Sequence, residues 1–319
     1  MELSVVIPFY NESKNIPLLF QELGRVLNGL GLSYEVIAID DGSQDDTGEV
    51  LKKEMATLAR GKVLRLRKNF GQTAALSAGF DLAEGKIIIT MDGDLQNDPE
   101  DIPRLVAKVQ QGYDLVSGWR EKRRDPFWSR RLPSAIANKM ISWVTGVKLH
   151  DYGCTLKAFT KEVAKNIRLY GEMHRFIPAI ASWMGITIAE VPVNHRARKF
   201  GRSKYGISRT IRVLLDLITV KFLAAYSTRP IHVFGYWGIL SGLAGFGLAA
   251  YLSVQRLFMG IPLANRPILF LAVLLIFVGV QFISIGLLGE IQVRTYHESQ
   301  GKPIYYVKEL FEYPRNETD

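Results

Sequence analysis

The chain holds one cysteine, Cys154, among its 319 residues, so no intrachain disulfide can close, which suits a reducing compartment. Cys154 reads as a small packed residue rather than a nucleophile. Histidine is scarce too, with five in all. His150, His174 and His195 lack the short spacing of a zinc site and read as structural or acceptor-side residues. No Gly-x-Gly-x-x-Gly follows the first apolar run and no P-loop occurs, which removes the two glycine-rich phosphate cradles. Met1-Glu2-Leu3-Ser4 carries no basic segment ahead of its apolar run, which stops at Pro8, so a secretory signal is not expected. There is no internal repeat and no low-complexity segment. Most telling are two stretches without Asp, Glu, Lys or Arg, Ile231 to Ser253 and Pro267 to Gly289, each of 23 residues.

A helix of about 20 residues spans the hydrocarbon core of a bilayer, and membrane helices accept the glycines that both stretches contain. The expected organisation is a catalytic domain over 1–205, an amphipathic juxtamembrane helix over 206–229, membrane helices over 230–254 and 266–290, and a tail over 291–319. Nine Lys or Arg lie from His195 to Arg229, against only Arg256 and Arg266 between the spans. The positive-inside rule then puts the catalytic head and both termini on the cytoplasmic side of the inner membrane. The net charge of +9 could serve nucleic acid or anionic lipid. With the basic cluster directly before a span, lipid phosphate is the expected partner and nucleic acid is not. Two apolar stripes could lie in the headgroup plane: Leu132, Ile136, Met140, Trp143 and Val144, and then Ile207, Ile211, Leu214, Leu215, Ile218 and Phe222. Either stripe could instead pack on the head or on a second subunit, and a homo-oligomer is expected. The tail Lys302–Phe311 has strand character and could pair with a sheet edge of its own or a neighbouring subunit.

The head alternates strand-like and helix-like segments. Strands are expected at Leu3–Ile7, Glu35–Ile39, Lys62–Leu66, Lys86–Met91 and Asp114–Ser117. Helices are expected at Asn15–Leu27, Thr47–Leu58 and Thr73–Ala83, and after Pro99. The fold class is therefore α/β, a mainly parallel sheet covered on both faces. Ligands of such sheets bind beyond the carboxyl ends of the strands. The polar clusters Tyr10-Asn11-Glu12, Asp40-Asp41 and Asp92 to Gln96 fall there. An Asp-x-Asp at a strand end can hold a divalent cation that bridges to a diphosphate, although surface turns also abound in Asp and Gly.

The order of motifs narrows this reading. "VVIPFYNE" (Val5–Glu12), "IDDGSQDDT" (Ile39–Thr47), "KNFGQTAALSAGF" (Lys68–Phe80) and "MDGDLQNDPE" (Met91–Glu100) together resemble a family 2 glycosyltransferase of the GT-A, Rossmann-like fold. "SGWR" (Ser117–Arg120), "RRLPS" (Arg130–Ser134), "DYGCTLKAF" (Asp151–Phe159) and "RKFGRSKYG" (Arg198–Gly206) resemble the polyprenyl-phosphate branch, which contains dolichyl-phosphate mannose synthase and the bacterial bactoprenol glucosyltransferases.

The resemblance implies that Pro8, Tyr10, Glu12, Ile39 and Asp41 surround the nucleoside, with Asp41 accepting from the base. It implies that Asp92, Asp94 and Gln96 hold Mg2+ or Mn2+ against the diphosphate, with Gly93 on the donor side between the carboxylates. Arg120, Arg198 and Lys204 would meet the diphosphate or the acceptor phosphate, and Arg131 and Ser134 the lipid phosphate. Pro133 and the Trp119-Arg120 pair depart from the usual pattern. The catalytic candidates are Asp94, Arg120, Arg131 and Asp151. Asp151 is either an orienting or proton-accepting group or a cap of the turn at Tyr152-Gly153. The implied reaction is inverting transfer of one hexose, with glucose from UDP-glucose expected, to undecaprenyl or another polyprenyl phosphate. A processive polysaccharide synthase is disfavoured, since no Gln-x-x-Arg-Trp occurs and only two spans are present. A non-catalytic lipid-binding scaffold is disfavoured by the intact acidic motif.

Overall fold

The computed structural model describes residues 1–58, 61–121, 138–139, 141–142, 145–167, 169, 173–197, 231–263, 266–299 and 305–313. The chain divides into two compact units, one of Met1–Val220 with Pro303–Asp319 and one of Lys221–Lys302.

The first unit is built on one eight-stranded sheet. Its strands are β1 (Leu3–Phe9), β2 (Tyr34–Asp40), β3 (Gly61–Leu66), β4 (Ile87–Thr90), β5 (Leu115–Trp119), β6 (Lys157–Thr160), β7 (Ile188–Pro192) and β8 (Val307–Tyr313), in spatial order β7-β5-β6-β4-β1-β2-β3-β8. Helices α1 (Ile16–Gly29), α2 (Thr47–Leu58), α3 (Gln72–Leu82), α4 (Ile102–Gln110), α5 (Lys161–Asn166) and α6 (Ile177–Ser182) connect them. Every residue of β2 is buried, and all of β1 except Pro8. That is why both read as continuous apolar runs, as strands covered on both faces do. Helix α1 turns Ile16, Leu19, Phe20, Leu23 and Leu27 into the core, the spacing of one helical face.

The pairings β1–β2, β1–β4, β2–β3 and β5–β7 are parallel. The sheet is more mixed than expected, because β6 runs antiparallel between β4 and β5, and β8 antiparallel along β3. Strand β6 has only four residues, too short a stretch for alternation to announce it. The strand character of the tail takes its place at Val307–Tyr313, paired with β3 of its own chain. Its alternating half-exposed pattern suits an edge.

The second unit contains α7 (Ile231–Met259) and α8 (Pro267–Ser299), both longer than the charge-free runs. Phe234–Met259 and Pro267–Gly289 are long and apolar enough to cross a membrane. The two helices meet at glycines, where a Cβ on Gly279 would lie 2.7 Å from the Gly238 carbonyl oxygen. Their other faces turn large apolar side chains outward, Phe246, Leu257, Phe270 and Phe277 among them. In water that surface would be costly, and in lipid it is the expected finish. The stripe of Ile207 to Phe222 lies outside the described residues, as do all five apolar residues of the stripe from Leu132 to Val144.

Candidate active site

The acidic motif follows β4 immediately. Strand β4 ends at Thr90, and Met91-Asp-Gly-Asp-Leu-Gln96 turns away from the carboxyl edge of the sheet. Leu95 makes the turn with φ of 63°, a left-handed conformation that costs a leucine roughly 1–2 kcal/mol. Burial of its side chain, 1% exposed, offsets that cost. The Asp94 Oδ1 accepts the Gln96 backbone N–H at 3.1 Å and closes the turn. Gly93 admits no side chain, because a Cβ there would lie 2.4 Å from Phe9 Cδ1 at the end of β1.

Asp92 is held from three sides. The Gln72 amide, at the start of α3, donates to its Oδ1 at 2.7 Å. The Thr155 hydroxyl donates to its Oδ2 at 2.6 Å and lies 3.0 Å from Asn97 Oδ1. The Asp92 backbone N–H donates to that same Asn97 oxygen at 2.8 Å. Burial and then the Asp94 carboxylate raise the Asp92 pKa, with Arg120 and Lys157 opposing. Two carboxylates whose repulsion raises one of them suit a divalent cation, and oxygen donors suit Mg2+ or Mn2+. Among the described residues no cluster of three or more His, Cys, Asp or Glu forms. A cation held by Asp92, Asp94 and the Gln96 amide would therefore complete its shell with diphosphate oxygens or water.

Arg120 leaves the end of β5 beside this turn. Its Nε donates to Asp151 Oδ2 at 2.7 Å and its Nη2 to Asp151 Oδ1 at 3.0 Å, a two-pronged ion pair. Arg120 is held firmly protonated by Asp151. A guanidinium has five N–H donors, so the fork leaves others for a phosphate. Asp151 Oδ1 also accepts the Gly153 N–H at 3.1 Å, so this carboxylate orients the arginine and shapes the turn at once.

Two strand-end loops form a wall beside the acidic turn at the sheet edge. Asn11 and Glu12 donate their backbone N–H groups to the Ser43 and Thr47 hydroxyls, each at 2.9 Å. Asp41 Oδ1 accepts the Phe70 N–H at 2.7 Å and Oδ2 accepts the Gly71 N–H at 2.9 Å. Burial still raises the Asp41 pKa to about 6. Pro8, Tyr10 and Glu12 are half-buried along this wall. Ile39 is fully buried within β2, in reach of Gly79 on α3, and so supports the wall from within the core. Asp40 is structural, its Oδ1 accepting the Ser43 N–H at 2.8 Å and its Oδ2 lying 3.3 Å from Arg65 Nε.

The structure thus brings together Asp92, Gly93, Asp94, Gln96, Arg120 and Asp151, with Pro8, Tyr10, Glu12, Ile39 and Asp41 along one wall. Arg131, Ser134, Arg198 and Lys204 lie outside the described residues. The structure places the three histidines, His174, His150 and His195, as follows. His174 sits in a buried turn with Nδ1 3.0 Å from the Thr73 hydroxyl, and burial lowers its pKa to about 3. His150 stacks on Trp119 and lies 2.8 Å from Glu190. His195 pairs with Asn97 in a short antiparallel bridge behind the acidic turn. Cys154 is fully buried. Sequence reasoning missed Gln72, Asn97 and Thr155, although each stands inside a motif it had singled out.

Comparison with known proteins gives the family and the fold of the chain. The family model described as "Glycosyl transferase family 2" matches residues 4–168. The chain is 42% identical over 316 residues to the dodecaprenyl-phosphate galacturonate synthase of Rhizobium johnstonii, covering 98% of this chain and 94% of that protein. Among solved structures, glucosyl-3-phosphoglycerate synthase from Mycobacterium tuberculosis, in complex with Mn2+, UDP and glucosyl-3-phosphoglycerate, superposes with a TM-score of 0.55. That likeness has 18% identity and covers 70% of this chain and 79% of the other. The same enzyme with Mn2+, UDP-glucose and phosphoglyceric acid gives 0.54 at 18% identity, over 70% and 79% of the two chains. At that identity the superposition speaks for the GT-A fold alone, whereas the match over more than half of the chain settles its descent: this protein belongs to glycosyl transferase family 2.

Proposed function

We propose that this enzyme transfers a single hexosyl unit from a nucleoside diphosphate sugar to a polyprenyl phosphate at the cytoplasmic membrane face, inverting the anomeric centre. The observation that carries the reading is the meeting of Asp92 and Asp94 with the Asp151-held Arg120 at the carboxyl edge of the sheet. The relative named for dodecaprenyl-phosphate galacturonate synthesis supports a polyprenyl phosphate acceptor. On the donor, UDP-glucose is the expectation from the motifs, and the relative's name sets a galacturonate donor beside it.

Asp92, Asp94 and Gln96 would hold Mg2+ or Mn2+, which supplies charge neutralisation for the departing diphosphate. Arg120 meets the same charge from the other side, aligned by Asp151. Asp41, Tyr10, Pro8 and Glu12 receive the nucleoside, with Ile39 beneath. Arg131 and Ser134 take the acceptor phosphate, and Arg198 and Lys204 the phosphates of donor or acceptor, on the strength of the motifs.

Membrane location follows from α7 and α8. The chain leaves the catalytic unit after Val220 and rejoins it at Pro303, where β8 completes the sheet. Two crossings between those points bring the tail back to the side of the head, in line with both termini being cytoplasmic.

The test is Asp94→Ala in full-length protein, assayed with labelled UDP-glucose, UDP-galacturonate and GDP-mannose on polyprenyl phosphate. Wild type should transfer from one donor only with added Mg2+ or Mn2+. The variant should lose that transfer by at least about a thousandfold while keeping its thermal transition. Undiminished turnover would remove the acidic turn from the reaction.

A further inference from the structure

Lys157 is a charged side chain that neither the motifs nor the reaction above explains. It opens β6 and is 2% exposed, one of the largest fully buried side chains in the protein. An ammonium in such a place costs several kcal/mol unless it is compensated, and an apolar side chain of similar length would fill the space without that cost. Its partners are specific. The Nζ donates to the carbonyl oxygen of Cys154 and lies 3.5 Å from that of Tyr152. Burial lowers its pKa and the Arg120 guanidinium adds to this, while the Asp151 and Asp92 carboxylates act on it as neighbouring negative charges.

Its register gives these contacts a consequence. Lys157 stands opposite Thr90, the last residue of β4 before the acidic turn, and opposite Ser117 on β5, three residues ahead of Arg120. The loop Asp151–Leu156 folds back over its ammonium. One end of that loop carries Asp151, which grips Arg120, and the other carries Thr155, which grips Asp92. The loop is tied to the strands beside it, since Thr90 Oγ1 donates to Thr155 O at 2.7 Å and the Gly118 N–H to Leu156 O at 2.9 Å. Between those ties and Asp151, the carbonyls of Tyr152 and Cys154 turn inward to Lys157.

We infer that Lys157 is a positioning residue of the transfer site: its buried ammonium pins the loop Asp151–Leu156, and the loop in turn holds Arg120 and Asp92 in the alignment that receives a cation-bound diphosphate. Lys157 itself touches no substrate in this arrangement. The inference rests on the reading of Asp92 and Asp94 as the cation seat.

The experiment is Lys157→Met in full-length protein in detergent, with Mn2+ uptake followed by electron paramagnetic resonance in the presence of UDP or GDP and no acceptor. Transfer kinetics and thermal unfolding are measured on the same preparations. The expected result is a dissociation constant for Mn2+ with nucleotide raised about tenfold, an equal rise in the KM for Mn2+, and an unchanged KM for polyprenyl phosphate. A residue that only supports the fold would lower the thermal transition and the active fraction and leave the dissociation constant per folded molecule alone, and that result overturns the inference. If methionine prevents folding, Lys157→Gln keeps an N–H donor on a shorter stem. Weakening of Mn2+ uptake by threefold or more then supports the role, and wild-type uptake overturns it. Wild-type protein that takes up no Mn2+ with either nucleotide overturns the cation seat as well, whereas equal uptake by wild type and variant removes Lys157 alone.

Discussion

Replacing Asp41 by asparagine should alter the stability of the catalytic unit by an amount that depends on pH. Burial raises the Asp41 carboxyl from 3.8 to about 6, and the N–H groups of Phe70 and Gly71 only partly oppose this. A carboxyl raised in the folded chain binds its proton there before the unfolded chain does. Between about pH 4 and pH 6 its contribution to stability therefore grows as pH falls and is lost as pH rises. At about 1.4 kcal/mol per unit, the ionised group costs about 3 kcal/mol at pH 7.5 and about 1 kcal/mol at pH 4.5. Screening by solvent at the strand-end loops reduces the difference to about 1.5 kcal/mol. Asparagine carries no such cost at either pH, but it gives up one of the two acceptor positions, a constant loss of about 1–3 kcal/mol. The melting difference between wild type and Asp41→Asn should thus move in favour of wild type by roughly 3–6 °C on going from about pH 7.5 to about pH 4.5. Tryptophan fluorescence melts of the two proteins in one detergent read this directly, and the subtraction cancels the other carboxylates. A difference that stays constant with pH would refute the reasoning, because it would mean that Asp41 ionises normally.

Thr155→Val removes the hydroxyl that donates to Asp92 at 2.6 Å while keeping the side-chain volume. It should raise the KM for the divalent cation by roughly 10- to 150-fold, the range of a lost hydrogen bond to a charged group, and Thr155→Ser should restore most of it; equal metal titrations for all three proteins would count against the hold on Asp92. Gly93→Ala forces a methyl group against Phe9, with 2.4 Å where contact needs far more. It should cost roughly 1–3 kcal/mol of stability and lower turnover beyond the loss of folded protein, measured by melting and by single-turnover transfer on the folded fraction.

The parts of this fold that could be read from the sequence are those whose burial leaves a simple pattern. Strands β1 and β2 announce themselves because a covered parallel strand is apolar throughout, and α1 because its apolar residues recur on one face. The charge-free runs at 231–253 and 267–289 needed only counting. Strand β6 escaped because its four residues begin with a buried lysine, which a pattern reader takes for solvent-facing. The acidic turn was legible because its two carboxylates follow an apolar run within a series of motifs in the order of a family 2 glycosyltransferase. What holds it was not. Gln72 and Thr155 reach Asp92 from 20 and 63 residues away, and only the folded sheet shows that the start of α3 and the end of the loop before β6 meet at the same place. Asp151 was left between an orienting or proton-accepting group and a turn cap, and in the fold it both pairs with Arg120 and accepts the Gly153 N–H.

Those same contacts bear on how the acceptor is activated. Asp151 has each oxygen engaged by the Arg120 fork, and Asp92 has each oxygen engaged by Gln72 or Thr155. Carboxylates held in this way orient and neutralise, and they are poorly placed to carry away a proton. A phosphomonoester acceptor needs no such help, because its second ionisation lies near about pH 6 and the dianion dominates at neutral pH. On the proposed function, the two anionic partners must instead be brought into line against their repulsion, a task that would fall to Arg120, a bound cation and the basic motif residues. Transfer at saturating donor and metal should therefore rise through about pH 6, where both the acceptor and Asp41 ionise, and then stay level to about pH 8.5. His174, with its pKa lowered to about 3 by burial, adds no step in that range. Initial rates with polyprenyl phosphate across this interval, repeated with Asp151→Asn, decide the matter. A second ionisation above about pH 7 in wild type that disappears in the variant would make Asp151 a base, and would overturn the view that this site works by neutralisation and alignment alone.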